Sequence, residues 1–332
     1  MIDALRWGII GCGNVAEFKS GPPLYQTPGS ELIAVMRRDA AKAADFARRH
    51  GAHRWYTDAE ALIADEDVNA IYIASPHNQH AAHVKLAAKS GKIVLCEKPL
   101  GISTAEAQAC VDACRAHTVP LAVAYYRRAW PIVQKMRDLL IAGAIGDVVA
   151  ARINLADYFA GDPDRPWLTS KAASGGGALA NAGSHWIDLA RYLLGEVISV
   201  SAQCSSYASS FETEDTIVVQ METVTHALVS LSITLQSPIN ANEFEINGAA
   251  GRLRATSLAD GQLLIDRVGE KTQALSLPRS RFAHAEFIAV LINQLRLDET
   301  SSIPGEEAVA VWKIMEAAYR SCETGARQRI TE

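Results

Sequence analysis

Glu97 and Lys98 form a charged pair that directly follows an apolar run. The run K-I-V-L is typical of a buried strand, and Pro99 follows the pair. A lysine ammonium can donate hydrogen bonds to a substrate oxygen and stabilise the negative charge that develops there. Pro99 excludes the α region for the residue before it, which helps to fix the direction of the Lys98 side chain. The alternative interpretation is a surface Glu/Lys pair before a turn.

A second candidate site is the segment G-C-G-N-V-A, which begins at Gly11. In a dinucleotide-binding turn Gly11 permits the tight turn, Gly13 lets the pyrophosphate approach the backbone, and Ala16 keeps the following helix close to the sheet. Asn14 and Val15 open that helix, whose N-terminus would receive the pyrophosphate. The alternative is an ordinary turn of small residues.

Two arginines end the second apolar run, A-V-M-R-R-D. An NAD enzyme usually carries an acid here for the ribose 2′-hydroxyl, whereas NADP requires cations for the 2′-phosphate. Arg37 takes the expected position of the acid, and Arg38 adds a guanidinium that could stack on adenine or hold the phosphate. The sequence therefore predicts NADP as the cofactor. The alternative cofactor is NAD. In that case both arginines are solvated and Asp39 binds the ribose.

A third group of polar residues follows three glycines at 175–177. Asn181, His185, Asp188 and Tyr192 recur at helical spacing, opposite an apolar stripe. An imidazole, with an ordinary pKa of about 6.5, exchanges protons near neutral pH, so His185 is a candidate acid–base residue. We expect Asp188 to tether the helix. The alternative is a solvated face that carries a structural histidine.

The first half of the chain predicts a scaffold for these residues, because short apolar runs alternate with helix-length amphipathic segments. Such strands, separated by helices, indicate a doubly wound α/β domain with a parallel Rossmann sheet, whose carboxyl ends face a ligand crevice. The predicted strands are 5–10, 31–36, 70–74, 92–96 and 121–125, and the predicted helices are 40–51 and 79–91.

From residue 147 the apolar residues alternate with period 2 in consecutive segments. This pattern indicates an α+β domain on a mainly antiparallel sheet with one buried face. We therefore predict an NADP-binding doubly wound domain over 1–124 and an α+β domain over 125–332. The predicted strands are 147–159, 198–207, 215–223, 227–236 and 243–248, and the predicted helices are 281–295 and 306–320.

The composition excludes several classes of partner. A chain of 332 residues exceeds the about 250–300 residues at which one core stops growing, so two domains are expected. The net charge of -5, without a Lys/Arg block, argues against nucleic acid. No apolar stretch reaches the roughly 18–20 residues that cross a bilayer, and the N-terminus lacks a secretory signal, so we expect a cytoplasmic protein without a membrane partner. Six cysteines without a C-x-x-C pair predict reduced thiols and no metal.

Five ordered motifs resemble the glucose–fructose oxidoreductase / inositol dehydrogenase / MocA family over nearly the whole chain. The resemblance implies that residues 1–124 form an NADP-binding Rossmann domain. It implies that residues 125–332 form a substrate-binding and oligomerisation domain with a large open, mainly antiparallel sheet. That sheet commonly forms the oligomer interface, so a homodimer or homotetramer is expected. The motifs are G-C-G-N-V-A, A-S-P-H-N-Q-H (74–80), C-E-K-P-L, Y-R-R-A-W-P (126–131) and G-G-G-A-L-A-N-A-G-S-H-W-I-D (175–188).

The resemblance also implies roles for individual residues. The lysine of the E-K-P motif is catalytic in the family, which corresponds to Lys98, and its bond to the proline is commonly cis. Asn181 and His185 occupy the two positions of the family's D-x-x-x-H pair, with asparagine in place of the aspartate. Asparagine cannot act as a base, so the proton role falls to His185 or Lys98, and Asn181 would orient the substrate. Glu97 could orient Lys98 or bind the cofactor ribose.

Weaker candidates match other family segments. One loop resembles the T-P-N-x-x-H segment that borders the nicotinamide ribose, although His77 replaces the usual asparagine. Its predicted cofactor contacts are Ser75, Pro76 and His80. The predicted substrate contacts are Tyr126, Arg128, Tyr158 and Trp167. For Tyr158 and Trp167 the alternative is packing.

The predicted reaction is a reversible hydride transfer between NADP(H) and a hydroxyl or carbonyl carbon of a small polyhydroxylated substrate. In the oxidation direction His185 accepts the hydroxyl proton while Lys98 donates to the same oxygen. This requires the two side chains, from separate domains, to converge on one substrate oxygen. The alternative class is a non-catalytic NADP-sensing regulator on the same fold. Among enzymes, a nucleotide-sugar 3-dehydrogenase and a dihydrodiol or aldose dehydrogenase stay open.

Overall fold

The computed structural model of the protein describes residues 3–208, 210–297, 299, 301 and 303–331. The chain divides into two compact units. The first unit comprises Met1–Arg127 and Ser280–Ala310, and the second comprises Arg128–Arg279 and Val311–Glu332.

This division differs from the predicted boundary after residue 124, because Ser280–Ala310 belongs to the first unit. The reason is a pairing that the local sequence does not reveal. The Val123 backbone N–H donates to the Ile303 carbonyl oxygen at 3.1 Å. Ala122 and Pro304 form an antiparallel bridge. The late segment therefore closes the edge of the first unit's sheet.

Within the described residues the first unit contains a six-stranded sheet, and each pair of neighbouring strands is parallel. The strands are β1 (Leu5–Ile10), β2 (Ser30–Met36), β3 (Arg54–Tyr56), β4 (Ala70–Ile73), β5 (Ile93–Cys96) and β6 (Leu121–Val123). The order β3-β2-β1-β4-β5-β6 confirms the predicted doubly wound fold. The strand order reverses between β1 and β4, which is where such sheets bind ligands.

Capping residues explain where helices begin and end. The Asp39 side chain accepts a hydrogen bond from the Lys42 backbone N–H at 3.0 Å, and Gly51 ends the same helix with a φ of 74°. This agrees with the helix predicted over 40–51. The α-helices along the described chain are α1 (Gly21–Gln26), α2 (Ala40–His50), α3 (Ala59–Ile63), α4 (His77–Lys89), α5 (Thr104–Ala116), α6 (Pro131–Ile141), α7 (Lys171–Ser174), α8 (Ser184–Leu194), α9 (Ala285–Arg296) and α10 (Gly305–Thr324).

The core of the first unit lies in the centre of the parallel sheet. Every residue of β4 and of β5 is buried. A strand covered on both faces cannot alternate apolar and polar residues, so continuous apolar runs are the expected sequence pattern. Burying each large aliphatic side chain contributes about 1.5–3 kcal/mol. This core fixes the positions of the loops at the strand ends.

The second unit contains a nine-stranded sheet, counted over the described residues. Neighbouring strands are antiparallel except β7 and β10, which confirms the mainly antiparallel prediction. The order is β14-β13-β12-β11-β7-β10-β9-β8-β15. The strands are β7 (Val148–Tyr158), β8 (Val197–Ser205), β9 (Thr216–Thr223), β10 (Leu228–Thr234), β11 (Gln236–Gly248), β12 (Gly251–Ala255), β13 (Gln262–Arg267), β14 (Gln273–Ser276) and β15 (Gln328–Arg329).

Two π-helical turns interrupt the expected α-helical geometry, and both lie at predicted site motifs. The turn Ala16–Ser20 follows the glycine-rich motif, and the turn Leu179–Gly183 precedes α8. The predicted α-helical spacing from Asn181 to His185 is therefore wrong, because Asn181 lies in the π-turn and α8 begins only at Ser184. The extra residue in a π-turn rotates the side chains before it relative to those after it, and such turns are frequent at functional sites.

Candidate active site

The glycine-rich motif follows β1 and lines an open cleft of ≈ 620 Å³ in the first unit. Gly11 has a φ of 89°, and a Cβ there would lie 2.7 Å from the Ala74 carbonyl oxygen, so only glycine fits. A Cβ on Gly13 would meet no heavy atom nearer than the Gly11 oxygen at 4.0 Å. Open space therefore lies above Gly13. Predicted cofactor residues that line this cleft are Gly13, Asn14 and Arg37.

Arg37 and Arg38 have no carboxylate partner among the residues that the structure describes. Arg37 lines the cleft, and its Nη1 donates to the Cys12 carbonyl oxygen at 3.3 Å. Arg38 is exposed. Guanidinium groups whose charge is not already neutralised suit a phosphate, which they can bind in a bidentate manner.

Acidic residues of the same cleft already have partners. Glu17 accepts hydrogen bonds from Arg49 at 2.9 Å and from His50 at 3.0 Å. The hydrogen bond from Arg49 lowers the pKa of Glu17. One oxygen of Asp39 caps α2 by accepting the Lys42 N–H. Asp39 therefore has a structural contact of its own, which weakens the alternative in which it binds a ribose.

His80 links the Ser75–Pro76 loop to the loop that follows β5. The two ring nitrogens of His80 each lie 2.8 Å from a carbonyl oxygen, one of Pro99 and one of Ser75. Burial lowers the pKa of His80, and the two carbonyls oppose that shift because they favour the charged ring. A charged ring donates to both carbonyls and a neutral ring to one of them, so His80 links the two loops, and its predicted cofactor contact stays a prediction. Ser75 also contacts His83, with 3.0 Å between Oγ and Nδ1.

Lys98 lies just beyond the carboxyl end of β5, and its peptide bond to Pro99 is cis, as the resemblance implied. The lysine is half-buried. Burial lowers the pKa of Lys98 to about 8, and the charges of Lys19 and Arg127 add to this shift. The carboxylate of Glu97 opposes it. Lys98 can therefore gain and lose a proton close to neutral pH.

Glu97 is held by two residues that sequence reasoning missed. Its Oε1 accepts hydrogen bonds from the Tyr72 hydroxyl at 2.6 Å and from His284 Nε2 at 2.9 Å. Burial by itself would raise the pKa of Glu97, but the charge and hydrogen bond of His284, helped by Tyr72, outweigh it and lower the pKa of Glu97 to about 2. Tyr126, predicted to bind substrate, is buried with its ring stacked 3.9 Å from that of His284.

No strong local signal could have revealed these partners. Tyr72 is the aromatic residue of an otherwise aliphatic strand, and a tyrosine in such a strand does not by itself indicate a partner for its hydroxyl. His284 follows Glu97 by 187 positions and immediately precedes α9. A histidine before a helix does not indicate a partner at that distance.

The second unit carries His185 and Asn181. His185 lies in the first turn of α8 and is 5% exposed. The Asn181 backbone N–H donates to the Gly177 carbonyl oxygen at 2.9 Å, and its side chain is half-buried. Lys98 belongs to the first unit and His185 to the second, so their convergence on one substrate oxygen stays a prediction.

Arg128, predicted to bind substrate, forms a buried ion pair with Asp188 of α8. Nη2 of Arg128 lies 2.6 Å from the Asp188 carboxylate, and Nε lies 3.0 Å from each carboxylate oxygen. The guanidinium also lies over the ring of Tyr192 at 4.9 Å. Asp188 therefore tethers α8 as expected. The contacts of Arg128 shown here are structural, and a substrate contact stays a prediction.

Glu214 is a second carboxylate that sequence reasoning missed. It accepts the backbone N–H groups of Gly177 and Leu179, each at 2.9 Å, and the Tyr319 hydroxyl at 3.0 Å. Burial raises the pKa of Glu214, against these donors. It lines a small cavity with Asn181 and holds the glycine-rich turn that leads to His185.

The other predicted substrate contacts lie in the second unit. Tyr158 ends β7 and is 59% exposed, and Trp167 is half-buried on a short 3₁₀ turn, Pro166–Thr169. Their substrate contacts stay predictions.

The described residues contain no cluster of three or more His, Cys, Asp or Glu side chains that could hold a metal. No helix in the described part of the chain is long and apolar enough to span a membrane.

The fold and the cleft place the chain in the class of dinucleotide-binding proteins, since a Rossmann sheet carries a glycine-rich turn beside an open cleft. Residues 5–125 match the oxidoreductase family with an NAD-binding Rossmann fold, and residues 133–254 match the GFO/IDH/MocA C-terminal domain. The chain belongs to the Gfo/Idh/MocA oxidoreductase family.

Three relatives illustrate the family. Oxidoreductase P35 of Formosa agariphila is 42% identical over 60% of this chain and 64% of its own length, so the chain spans less than two thirds of that relative. Trans-1,2-dihydrobenzene-1,2-diol dehydrogenase of Homo sapiens is 31% identical over 76% of this chain and 74% of its own. The aldose-aldose oxidoreductase of Caulobacter crescentus, solved in complex with glycerol, has a TM-score of 0.90 at 25% identity over 98% of this chain and 99% of that one.

Proposed function

We propose that the protein is an NADP(H)-dependent oxidoreductase acting on a hydroxyl or carbonyl carbon of a sugar, polyol or cyclic diol. The observation that carries the proposal is Lys98, half-buried with a pKa of about 8 beside the Glu97 carboxylate at the carboxyl end of β5. A lysine of that kind is expected where a reacting oxygen must be stabilised. The names of relatives that act on a dihydrodiol or an aldose support this class of substrate.

When bound, the nicotinamide supplies the group that accepts or donates the hydride. The residues of the chain stabilise charge, transfer the proton and orient the substrate. Lys98, as an ammonium, donates a hydrogen bond to the substrate oxygen and stabilises the charge that develops there. In the oxidation direction His185 accepts the hydroxyl proton. Asn181, which cannot act as a base, orients the substrate by hydrogen bonding.

The cleft in the first unit fits a dinucleotide phosphate. The open space above Gly13 leaves room for a pyrophosphate to approach the backbone. Arg37 lines the same cleft, and neither it nor Arg38 has a carboxylate partner in the described part of the chain. These features favour NADP over NAD, because NAD would leave both guanidinium groups without an anionic ligand.

The variant Arg37→Asp/Arg38→Ile tests this choice of cofactor. We expect it to weaken NADPH binding by about 10–100-fold, because the 2′-phosphate loses its cationic partners, while NADH binding changes little. Fluorescence titration of the purified full-length variant with each cofactor measures both affinities. Arg48→Ala, which alters an exposed arginine of α2 outside the cleft lining, serves as the matched control. An equal loss of affinity for NADPH and NADH would show that the 2′-phosphate assignment is wrong.

Gly13→Ala tests the position of the pyrophosphate. The added Cβ meets no protein atom nearer than 4.0 Å, so thermal stability should stay close to that of the parent. Binding of both dinucleotides should fall at least about tenfold, because the methyl group occupies the space that the pyrophosphate needs. Thermal unfolding and cofactor titration of the same sample give the two readouts. Unchanged affinity for both cofactors would place the pyrophosphate elsewhere.

A non-catalytic NADP-sensing regulator on the same fold is the alternative from another class. The presence of both Lys98 and His185 argues against it, because a sensor needs neither an ammonium nor an imidazole for proton transfer. NADPH consumption against a panel of aldoses, ketoses, diketones and nucleotide-keto sugars separates the two functions. Tight NADPH binding without turnover of any carbonyl compound would favour the regulator.

We expect a cytoplasmic homodimer or homotetramer that associates through the open face of the second unit's sheet. The inner side chains of β9 and β10 are buried, whereas Val218 and Leu228 on the other face are 41% and 62% exposed. Apolar side chains on an uncovered sheet face suit an interface between copies of the chain. Sedimentation of the parent and of Leu228→Asp tests this, and a monomeric parent would refute it.

A further inference from the structure

The Glu97 carboxylate is the centre of a buried hydrogen-bonded group in the first unit. Its Oε1 accepts from the Tyr72 hydroxyl at 2.6 Å and from His284 Nε2 at 2.9 Å. Its Oε2 lies 3.3 Å from the backbone nitrogen of Lys98. One carboxylate oxygen of Glu97 therefore contacts the backbone of Lys98, and the other oxygen is fixed by the side chains of Tyr72 and His284.

His284 is held in place independently of Glu97. Its backbone N–H donates to the Lys19 carbonyl oxygen at 3.3 Å, and the centroid of its ring lies 3.9 Å from that of Tyr126 with the two rings tilted by 32°. The residue is 1% exposed, and its Nδ1 has no hydrogen-bond partner among the residues described. A buried polar atom without a partner costs free energy. An apolar side chain would fill this space without that cost, so packing alone does not explain a histidine here.

We propose that His284 is a positioning residue for Lys98: together with Tyr72 it holds Glu97 as a buried anion beside the lysine and so keeps the Lys98 ammonium available for the reaction. The use of that ammonium in catalysis rests on the proposed function, whereas the effect of His284 on Lys98 does not. His284 touches neither cofactor nor substrate in this role.

The charges around Lys98 explain why the anion matters. The pKa of Lys98 is lowered to about 8, mainly by burial and in part by the charges of Lys19 and Arg127, while the Glu97 carboxylate opposes this shift. The charges of Glu97 and Lys98 also act on nearby His80, where Glu97 raises its pKa and Lys98 lowers it. Without Glu97 as an anion, Lys98 would keep the burial and the two cations that lower its pKa and would lose the carboxylate that opposes them.

Removing His284 should act on Lys98 through Glu97. Burial raises the pKa of Glu97, and His284 supplies the largest of the opposing influences. In His284→Ala the pKa of Glu97 therefore rises and the carboxylate binds a proton more readily. Without the His284 hydrogen bond Glu97 is protonated more readily and is held less firmly beside the lysine, so it opposes the burial of Lys98 less and the pKa of Lys98 falls below about 8.

The experiment is an NMR titration of the full-length protein with lysine labelled by ¹³C at Cε. The signal of Lys98 is assigned by its absence in Lys98→Arg. We expect a midpoint near 8 in the parent and a midpoint lower by about one unit or more in His284→Ala. His284→Gln, which keeps an N–H donor, should stay closer to the parent. His117→Ala, an exposed histidine of the same unit, is the control and should leave the midpoint unchanged.

Two results would overturn the proposal. One is a folded His284→Ala whose Lys98 signal titrates as in the parent, and the other is a Gln variant that shifts as far as the Ala variant. If His284→Ala does not fold, Tyr72→Phe removes one hydroxyl from the same group, and it too must lower the midpoint. Failure of the proposed function is distinguishable, since it would appear as NADPH binding by the parent without turnover of any carbonyl compound, whatever the titration shows.

Discussion

Lys98→Met is expected to abolish turnover and leave NADPH affinity within about twofold of the parent. Methionine keeps an unbranched apolar side chain of similar length but carries no ammonium. The substrate oxygen then loses the donor that stabilises its developing charge, which lowers kcat by about 10²–10³-fold or more. Steady-state turnover of a carbonyl compound that the parent reduces, together with NADPH titration, measures both quantities.

Lys89→Met is the matched control for this substitution, because Lys89 is an exposed lysine at the end of α4. It should keep the turnover of the parent. Equal turnover by Lys98→Met and its parent would remove Lys98 from the chemistry, and a parallel loss of NADPH affinity would point to cofactor binding instead.

The pH dependence of the parent distinguishes the two proton roles that the sequence left open. The pKa of Lys98 is about 8, so the ammonium is lost as pH rises through that value. If Lys98 acts as the ammonium donor, kcat/KM for oxidation falls above about pH 8. A profile that instead rises through this pH to a plateau would make Lys98 the base and leave His185 with another task.

Asp188→Ala is expected to lower the free energy of unfolding by about 3–5 kcal/mol, because it breaks a buried ion pair by removing one partner. Arg128 is only 7% exposed, and its guanidinium is paired with both oxygens of Asp188. Without the carboxylate, the buried guanidinium would lose the anion to which it donates three hydrogen bonds. Denaturant unfolding of the purified variant and its parent measures the difference.

Asp45→Ala is the control for the ion pair, since Asp45 contacts Arg48 and Arg49 at the surface. Exposed pairs of this kind contribute only about 0–1 kcal/mol. The double variant Arg128→Met/Asp188→Leu should recover much of the lost stability, because apolar residues replace both charges. A loss in Asp188→Ala no larger than in Asp45→Ala would show that the pair does not hold α8.

Several features of the fold followed directly from local sequence. β1 and β4 are apolar runs between helical segments, and their observed bounds agree with the predicted ones within one residue. A residue's preference for a strand interior, and the φ that Gly11 requires, depend on near neighbours along the chain. Such features can be predicted from the local sequence without knowledge of the rest of the fold.

Other strands were missed because their stability comes from pairing. β3 has three residues and lies at the sheet edge, so its apolar signal is weak. β12 contains two arginines in five residues, and it becomes a strand by pairing with β11 and β13. The π-turn before α8 was missed for a similar reason, since the spacing of polar residues alone favoured a continuous helix.

By itself, the sequence determined the two kinds of sheet, the glycine-rich turn, the lysine that follows β5 and the arginines that follow β2. Each is encoded by residues adjacent in the chain. Only the tertiary structure decided that Glu97 is held by Tyr72 and His284, that Arg128 pairs with Asp188, and that Ser280–Ala310 belongs to the first unit. These contacts join residues tens to hundreds of positions apart. Burial selects such partners by shape and charge once the core has formed, and no local pattern records that selection.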